Sequence, residues 1–557
     1  MRRLAALLPF ALLACRPLAP AAGTAPMTNA TDDGTIFIGG TVVTGAPQTP
    51  QKNVAIYTSG GTIREVGSPS QVRAAHPRAR VVDASNATIL PGLTDAHGHL
   101  AGLGAALANV DLVGTTSYEE VIARVKERAA TTPAGEWISG RGWDQNDWAV
   151  KEFPTAAPLD AAFPDRAIVL ERVDGHATLA NSAAMRAAGV TAATRDPEGG
   201  RIVRDAEGNP TGVFIDAATN LIDTAVPPIS NEQRKARVLA AAQNIAANGL
   251  TEMHDAGIDA NTIAAVRELI DEHRFPIRVY ALLTDNDALL EQWFASGPLI
   301  GYGGHLTIRA VKLYADGALG SRGAALLAPY SDDPNNTGLL VSKPEHLADV
   351  SRRARAAGFQ VGTHAIGDRG VRNVVDAYAS AGVTADNRYR IEHLQVIAPE
   401  DVPRLAQYGI IASMQPTHAT SDMYWAEARL GPQRVLGTYA WRTVLNANAR
   451  LALGSDFPVE SVNPFFGIYA AVTRQDQKHW PEGGWYPAQR LTLGEAIRGF
   501  TSDAAFAAFE EQSRGTIEPG KLADLTIIDG DLFAMNDLFK AKVRYTVVGG
   551  EIVFSAR

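Results

Sequence analysis

Eight short apolar runs alternate with Ala-rich amphipathic stretches along the middle of the chain. They end near His97, His254, Leu283, Ala315, His364, His393, Gln415 and Asp456. Apolar runs separated by helical segments are typical of a parallel sheet buried on both faces. Eight successive strand and helix units therefore predict an α/β fold, a TIM-type (β/α)8 barrel.

The sequence on either side of the predicted barrel has a different pattern. From about Thr35, short strand-like runs are separated by turn glycines such as Gly60-Gly61, and the last fifty residues repeat this pattern around Gly549-Gly550. Such runs predict antiparallel strands joined by turns. We predict that segments 35–90 and 505–557 form one small β-sandwich domain, and that residues 91–504 form the barrel.

The first crossover of the barrel is too long for a single helix. It contains an insertion at about 133–225 that is rich in tryptophan, including Trp137, Trp143 and Trp148. We expect this insertion to fold over the barrel mouth. Together with Trp441, it favours a substrate with a hydrophobic or aromatic substituent, because aromatic walls supply apolar contact area.

The N-terminus is typical of an exported protein. Arg2 and Arg3 precede the apolar run Leu4–Leu13, which is too short to span a bilayer as a helix. The stretch Leu12-Leu13-Ala14-Cys15 resembles a bacterial lipobox, so residues 1–15 are predicted as a lipoprotein-like signal peptide and 16–34 as a Pro/Ala-rich tether. This places the protein on the periplasmic side of a bacterial membrane. Cleavage after Ala21, giving a periplasmic or secreted form, is the alternative.

Composition excludes several classes of function. The chain has 51 Lys+Arg and 60 Asp+Glu, a formal net charge of -9 without long runs of either sign, so nothing favours nucleic acid. Membrane contact is expected only through the N-terminal lipid anchor, and a homo-oligomer stays open. The single cysteine, Cys15, excludes an intrachain disulfide and leaves histidine and carboxylate to bind any metal.

Metal-type side chains fall at the ends of the predicted strands. His97 and His99 form a His-x-His pair whose side chains share one side by strand alternation. Four further strands end near Lys312, His364, His393 and Asp456. The carboxyl ends of barrel strands form the mouth where catalytic groups lie. Imidazole and carboxylate without sulfur suit zinc first, with manganese, nickel or iron as alternatives.

Several motifs resemble the metal-dependent amidohydrolase superfamily. They are Pro91–His99, Lys312–Ser321, Thr363–Arg369, Arg390–Gln395, Gly454–Glu460 and Gly484–Leu491. They are similar to the branch that contains N-substituted formamide deformylases, and the resemblance runs from about residue 35 to the end of the chain. It is specific for the family and weakly specific for the substrate.

The resemblance implies a binuclear centre. His97, His99 and Asp456 would bind one divalent ion, His364 and His393 the second, and a carboxylated Lys312 would bridge them. A lysine ammonium has no lone pair, so it can approach two cations only as a neutral amine or a carbamate. The alternative is that Lys312 pairs with Asp316 and that the site binds one metal.

The proposed chemistry follows from that centre. Two ions lower the pKa of a shared water, giving a metal-bridged hydroxide, and Asp456 acts as general base and then acid. The alternative for Asp456 is a helix N-cap. Weaker predictions assign substrate contacts to His176, Trp143, Asp316 and His418, and a structural role to His254.

The sequence thus predicts an exported metal-dependent hydrolase of carbon-nitrogen bonds other than peptide bonds, acting on a small N-substituted formamide or N-acyl amide. One alternative is hydrolysis of another carbonyl substrate, such as a cyclic amide, lactone or ester. A remote alternative is a non-catalytic binding protein on the same fold, because fold alone does not fix function.

Overall fold

A computed structural model describes residues 34–45, 49–173 and 175–556. The predicted signal peptide, Cys15 and nearly all of the tether lie outside the described residues. Within the described ranges, no helix combines the length and the apolar character needed to cross a bilayer.

The described residues form β-strands and α-helices, each type numbered in chain order. The strands are β1 (Thr35–Thr44), β2 (Thr49–Ser59), β3 (Thr62–Gly67), β4 (Arg80–Pro91), β5 (Leu93–Gly98), β6 (Val110–Asp111), β7 (Ile138–Trp143), β8 (Ile168–Arg172), β9 (Ala177–Ala180), β10 (Gly200–Arg204), β11 (Pro210–Asp216), β12 (Leu250–Ile258), β13 (Arg278–Leu283), β14 (Leu299–Tyr302), β15 (Leu306–Tyr314), β16 (Gln360–Ala365), β17 (Arg390–His393), β18 (Ile411–Met414), β19 (Leu451–Leu453), β20 (Leu525–Asp529), β21 (Val543–Val548) and β22 (Glu551–Ser555). The α-helices are α1 (Pro69–Ala75), α2 (Leu100–Ala108), α3 (Tyr118–Thr131), α4 (Ala157–Ala162), α5 (Ser182–Ala187), α6 (Asn220–Asp223), α7 (Asn231–Ala247), α8 (Ala260–Asp271), α9 (Asp287–Ser296), α10 (Pro344–Ala356), α11 (Asp368–Ser380), α12 (Val402–Tyr408), α13 (Pro416–Asp422), α14 (Ala426–Arg434), α15 (Trp441–Asn446), α16 (Pro464–Thr473), α17 (Leu493–Gly499) and α18 (Ser502–Ala507).

Eight parallel strands form the barrel, as the sequence predicted. Their order is β5, β12, β13, β15, β16, β17, β18 and β19, and β14 adds an antiparallel pair to β15. A parallel bridge between Gly98 and Phe457 links the region after β19 to β5. Each barrel strand ends at or within a few residues of the position that the sequence indicated.

Burial explains why these segments become barrel strands. All six residues of β5 are buried, as are eight of the nine in β12, because side chains fill the barrel interior and helices cover the outside. The covering helices are amphipathic. For example, α11 buries Val371, Val374 and Val375 on one face against the sheet.

The two chain ends form one β-rich domain, as predicted. Its seven strands join in a sheet of order β22, β21, β20, β4, β1, β2 and β3. The pairing of β1 with β4 is parallel, whereas the sequence predicted antiparallel strands. The reason is that β2, β3 and α1 intervene and return the chain in the original direction. The Asp524 carboxylate accepts two bonds from Arg278 on β13, at 2.8 and 2.9 Å, and so fastens this domain to the barrel.

The insertion forms its own six-stranded sheet, with the order β10, β11, β9, β8, β7 and β6. It begins at Val110, earlier than the predicted boundary near residue 133, and it has a separate hydrophobic core. Trp143 is fully buried in that core, and its indole N–H donates to the Leu170 carbonyl at 2.8 Å. The prediction that Trp143 contacts substrate is therefore wrong, since this tryptophan serves packing.

Candidate metal centre

The His-x-His pair lies at the carboxyl end of β5 and faces Asp456. His99 has an extended backbone just before α2, so the strand alternation continues through it. Oδ1 of Asp456 lies 3.0 Å from Nε2 of His99 and 3.6 Å from Nε2 of His97. The first and last barrel strands thus contribute to one site.

The backbone around Asp456 is held tightly against β5. Its amide donates to the His97 carbonyl at 2.7 Å, and its φ of 65° lies in the left-handed region. A Cβ on Gly454 would lie 2.5 Å from Oδ1 of Asp95, so only glycine allows this close approach. The side chain of Asn463 caps the following helix α16, and the N-cap interpretation of Asp456 is therefore wrong.

The three remaining predicted ligands converge on the same point. Nζ of Lys312 lies 3.4 Å from Nε2 of His97. The ring of His393 lies 4.7 Å from that of His97 and 4.6 Å from that of His364, measured between centroids. Strands β15, β16 and β17 therefore bring these side chains to the mouth together with those of β5.

One trio is especially compact. A ligand atom from each of His97, His393 and Asp456 lies within 4.8 Å of the other two. The sequence analysis assigned His97 and Asp456 to one ion and His393 to the other. The assignment of individual residues to a first and a second ion stays a prediction.

Burial keeps three of the predicted metal ligands, His97, His364 and His393, neutral. It lowers the pKa of His364 to about 4 and the pKa values of His97 and His393 well below the ordinary range. For Asp456, burial opposes ionisation, but the hydrogen bond with His99 outweighs it, and the pKa is lowered to about 2. Neutral imidazoles and an ionised carboxylate are the forms that bind metal.

Lys312 is fully enclosed beside these ligands. Burial lowers the pKa of its amine to about 8, although the Glu392 carboxylate acts in the opposite direction. The Asp316 carboxylate instead accepts three backbone N–H groups, from Ala325, Ile366 and Gly367, at 2.8 to 2.9 Å. The Lys312–Asp316 pair is therefore wrong, and Asp316 fixes the loops after β15 and β16.

A polar network below the site orients its histidines, and sequence reasoning missed it. Nδ1 of His97 donates to Glu392 at 2.5 Å, which leaves Nε2 facing the metal-type ligands. Arg390 lies 2.8 Å from the other oxygen of Glu392 and also bonds to His254. Gln415 plays the same role for Nδ1 of His393, at 2.9 Å. Arg390 and Glu392 lie two residues apart on β17, so strand alternation places both side chains on the same face of the sheet, toward the barrel interior. This spacing is the sequence signal that could have identified them.

The predicted ligands lie at a cavity of about 350 Å³. Lys312, His364 and His393 line it with His99 and Asp456, while His97 lies fully buried beneath them. Its apolar walls include Leu319, Ile366 and Trp425, and His418 is also part of the lining.

Other predicted substrate contacts lie elsewhere. His176 is 74% exposed on the insertion, bonds to Asp216 at 2.9 Å and does not line the cavity, so that prediction is wrong. Its neighbour Asp174 lies outside the described residues. Asp316 is buried in its loop contacts, and Trp441 is buried against Arg474. Of the predicted contacts, His418 keeps its place beside the cavity.

The donor set fits a divalent metal. Nε2 of His364 is buried without a hydrogen-bond partner, which is costly unless a ligand satisfies it. Nitrogen and oxygen donors without sulfur match zinc and its first-row neighbours.

Comparisons with known proteins identify the family of the chain. The sequence profile of the amidohydrolase family matches residues 80–554. The chain is 34% identical over 513 residues to "Putative amidohydrolase YtcJ" of Bacillus subtilis (strain 168), covering 90% of this chain and 96% of that protein. It is 29% identical over 522 residues to N-substituted formamide deformylase of Arthrobacter pascens, covering 89% of this chain and 94% of that protein.

A solved structure shows the same architecture. It is an uncharacterized metal-dependent hydrolase from Pyrococcus horikoshii OT3, with a TM-score of 0.75 and 27% identity, covering 91% of this chain and 99% of that one. With the barrel, the ligand cluster and the family match in place, the chain belongs to the amidohydrolase family. It is a metal-dependent hydrolase, which confirms the predicted superfamily.

Proposed function

We propose that the protein hydrolyses the carbon-nitrogen bond of a linear, non-peptide amide, of the N-substituted formamide or N-acyl amide type, with two zinc ions. The observation that carries this proposal is Lys312, buried 3.4 Å from His97 with no acidic partner of its own among the described residues. The full-length similarity to a protein named N-substituted formamide deformylase supports the substrate class.

Lys312 has the properties that a bridging carbamate requires. Carboxylation needs the neutral amine, whose nitrogen attacks carbon dioxide and then loses a proton. A pKa of about 8 leaves more of this amine near neutral pH than an ordinary lysine has. The product has two anionic oxygens in place of a cation, which suits a position between two metal ions.

Asp456 is the group that would carry the proton. Bound divalent ions supply the activation of water and the polarisation of the scissile carbonyl. The low pKa of Asp456 keeps its carboxylate ionised, so it can accept a proton from the attacking water and pass it to the leaving nitrogen. Leu319, Ile366 and Trp425 would exclude water and contact the apolar part of the amide.

Metal analysis combined with a substrate screen tests the proposal. Purified protein should contain about two ions per chain, and activity should vanish with a chelator and return with zinc. The screen compares N-formyl, N-acetyl and N-aroyl amines with a cyclic amide, a lactone and an ester. Preference for the last three would replace the amide proposal, and a folded sample without metal or activity would favour the binding-protein alternative.

We also propose that the protein is exported and anchored through Cys15. The order of the arginines, the apolar run and the lipobox-like stretch supports this location. An exported position would give the enzyme small amides from outside the cytoplasm.

A further inference from the structure

The catalytic cavity adjoins a second cavity of about 260 Å³ that the proposed reaction does not use. Glu460 lines both cavities. Helix α13 lies between them, since its His418 and Asp422 face the first cavity and its Thr417 and Ser421 face the second. Glu460 and helix α13 therefore form a shared wall between the two cavities.

The charges along these two cavities have one sign. Outside the predicted ligand set, the charged side chains that line them are the carboxylates of Asp422, Glu460 and Asp476. Among the described residues, no arginine lines either cavity, and Lys312 is the single lysine that does. A cleft lined by carboxylates concentrates cations and repels anions.

Glu460 is the carboxylate with the most freedom to bind a ligand. One of its oxygens accepts the Ser421 hydroxyl at 2.5 Å. Within the part of the chain that the structure describes, no lysine or arginine forms an ion pair with it. Asp476, in contrast, already accepts the backbone amides of Lys478 and Trp480, at 2.8 and 3.0 Å.

Asp422 adds to the unbalanced charge. Burial raises the pKa of its carboxyl group; the hydroxyl that Tyr439 donates to Asp422 acts in the opposite direction, and the neighbouring Glu460 adds to the rise. Neither carboxyl group forms an ion pair with a lysine or arginine of the described residues, so a positively charged ligand would stabilise both. The electrostatics and the shared wall of the two cavities therefore point to the same occupant.

Two observations of a different kind also point to a ligand. His418 is only 8% exposed, and its Nδ1 lies 3.2 Å from the Gln395 amide nitrogen, which leaves the N–H on Nε2. Nε2 has no hydrogen-bond partner, with the nearest carboxylate oxygen, Oδ2 of Asp456, at 3.7 Å, so a polar atom of a substrate would satisfy it. The ring of Tyr424, which lines the second cavity, stacks on Trp480 at 4.8 Å and offers an aromatic surface to a cation.

We propose that the amide substrate carries a protonated amine, which binds at Glu460, while Nε2 of His418 donates to a polar atom of the same molecule. The substrate class is thus an N-acylated diamine or a similar cationic amide. Anionic amides such as N-acyl amino acids are disfavoured by the same carboxylates. This inference rests on the proposed function, because it names the substrate class of that site.

Three matched amides test the inference. They are the monoformyl derivative of diaminohexane, N-formylheptylamine and N-formylaminohexanoate, or their analogues with whichever acyl group the enzyme cleaves. They share chain length and differ in the charge of the terminal group. We expect kcat/KM to be about tenfold higher for the cation than for the neutral amide, and lower still for the anion.

A charge-removing variant and a matched control assign the effect to Glu460. Glu460→Gln should reduce the preference for the cationic over the neutral amide by about tenfold. Glu291→Gln, an exposed position on α9, should leave that preference unchanged. Calorimetry with hexylammonium, which does not depend on turnover, should show weaker binding to Glu460→Gln than to the wild type.

The outcomes separate the inference from the proposed function. Equal kcat/KM values for the three amides would overturn the cation site while hydrolysis of amides stands. Equal affinity of the wild type and Glu460→Gln for hexylammonium would have the same consequence. If no amide is cleaved but hexylammonium binds through Glu460, the proposed reaction fails and the cation site survives.

Discussion

At the scale of single residues, the proposed chemistry depends most on Asp456 and Lys312. Oδ1 of Asp456 faces the Nε2 atoms of His99 and His97. Lys312 lies beside His97 inside the barrel. Both side chains are ionisable and buried: burial lowers the pKa of Lys312, whereas for Asp456 the hydrogen bond with His99 outweighs burial and lowers the pKa. Each therefore has a substitution that isolates its role.

Asp456→Asn tests the proton transfer. Asparagine keeps an oxygen ligand of similar size and removes the base, so kcat should fall by about 10²- to 10⁴-fold while metal content falls far less. Steady-state kinetics and metal analysis on the same sample measure both. Asp287→Asn, on the exposed start of α9, is the control. A variant with full metal and nearly normal kcat would show that Asp456 is not the base.

Lys312→Ala tests the bridge. Removing the side chain should abolish most metal binding and activity, and a small added carboxylate should restore part of both by occupying the vacated position. Lys126→Ala, on the exposed face of α3, should retain metal. Unchanged metal content in Lys312→Ala would contradict the bridging role, and a circular dichroism spectrum checks that the variant is folded.

At the scale of elements, α17 illustrates how a helix supports the site from outside the barrel. Thr492 and Glu495 form a capping box at its start, and Glu495 bonds to Arg442 of α15 at 2.8 Å. The helix packs behind β19, where a Cβ on Gly499 would lie 2.5 Å from Leu453. The ion pair that attaches α17 therefore supports β19, the strand that precedes Asp456.

Glu495→Gln should lower stability in a pH-dependent way. The Arg442 guanidinium, helped by the Thr492 amide, lowers the pKa of Glu495 from 4.5 to about 2. A lowered folded-state pKa gives stability above the unfolded value that is lost as pH falls through the folded one. We expect a loss of about 1 to 2 kcal/mol near neutral pH that shrinks toward about pH 2.

Urea unfolding of the metal-free protein at neutral and acidic pH measures this difference. Glu291→Gln serves as the control, since this glutamate is exposed on α9 and should show no change. An equal loss for Glu495→Gln at both pH values would mean that the ion pair with Arg442 is not its source.

At the scale of the whole molecule, three units have separate tasks. The barrel carries the predicted metal ligands, and the insertion packs a hydrophobic core of its own. The β-rich domain contacts the barrel through the ion pair between Arg278 and Asp524. None of the described residues of the insertion lines the catalytic cavity. The N-terminal segment adds the predicted attachment to a membrane.

Cys15→Ser tests that attachment. Without the thiol, no acyl chain can be added, so the protein should move from the membrane fraction to the soluble exported fraction. Mass spectrometry of the mature N-terminus checks the modification. A wild-type protein that begins near Ala22 without lipid would refute the anchor and leave export intact.

The sequence by itself determined the barrel and the strand ends at which the predicted metal ligands lie. The eight apolar runs were visible because a parallel barrel buries both faces of each strand. The positions of His97, His364 and His393 followed because the carboxyl ends of parallel strands meet at one mouth. These features depend on local pattern and on the geometry of the fold class.

Only the tertiary structure decided which side chains meet. Glu392 contacts His97 across 295 positions of sequence, and no local pattern specifies that pair. Asp316, four residues after Lys312, turns instead to the backbone amides that follow β16. Trp143 and His176 were misassigned for the same reason, because burial and exposure are set by the packing of distant segments.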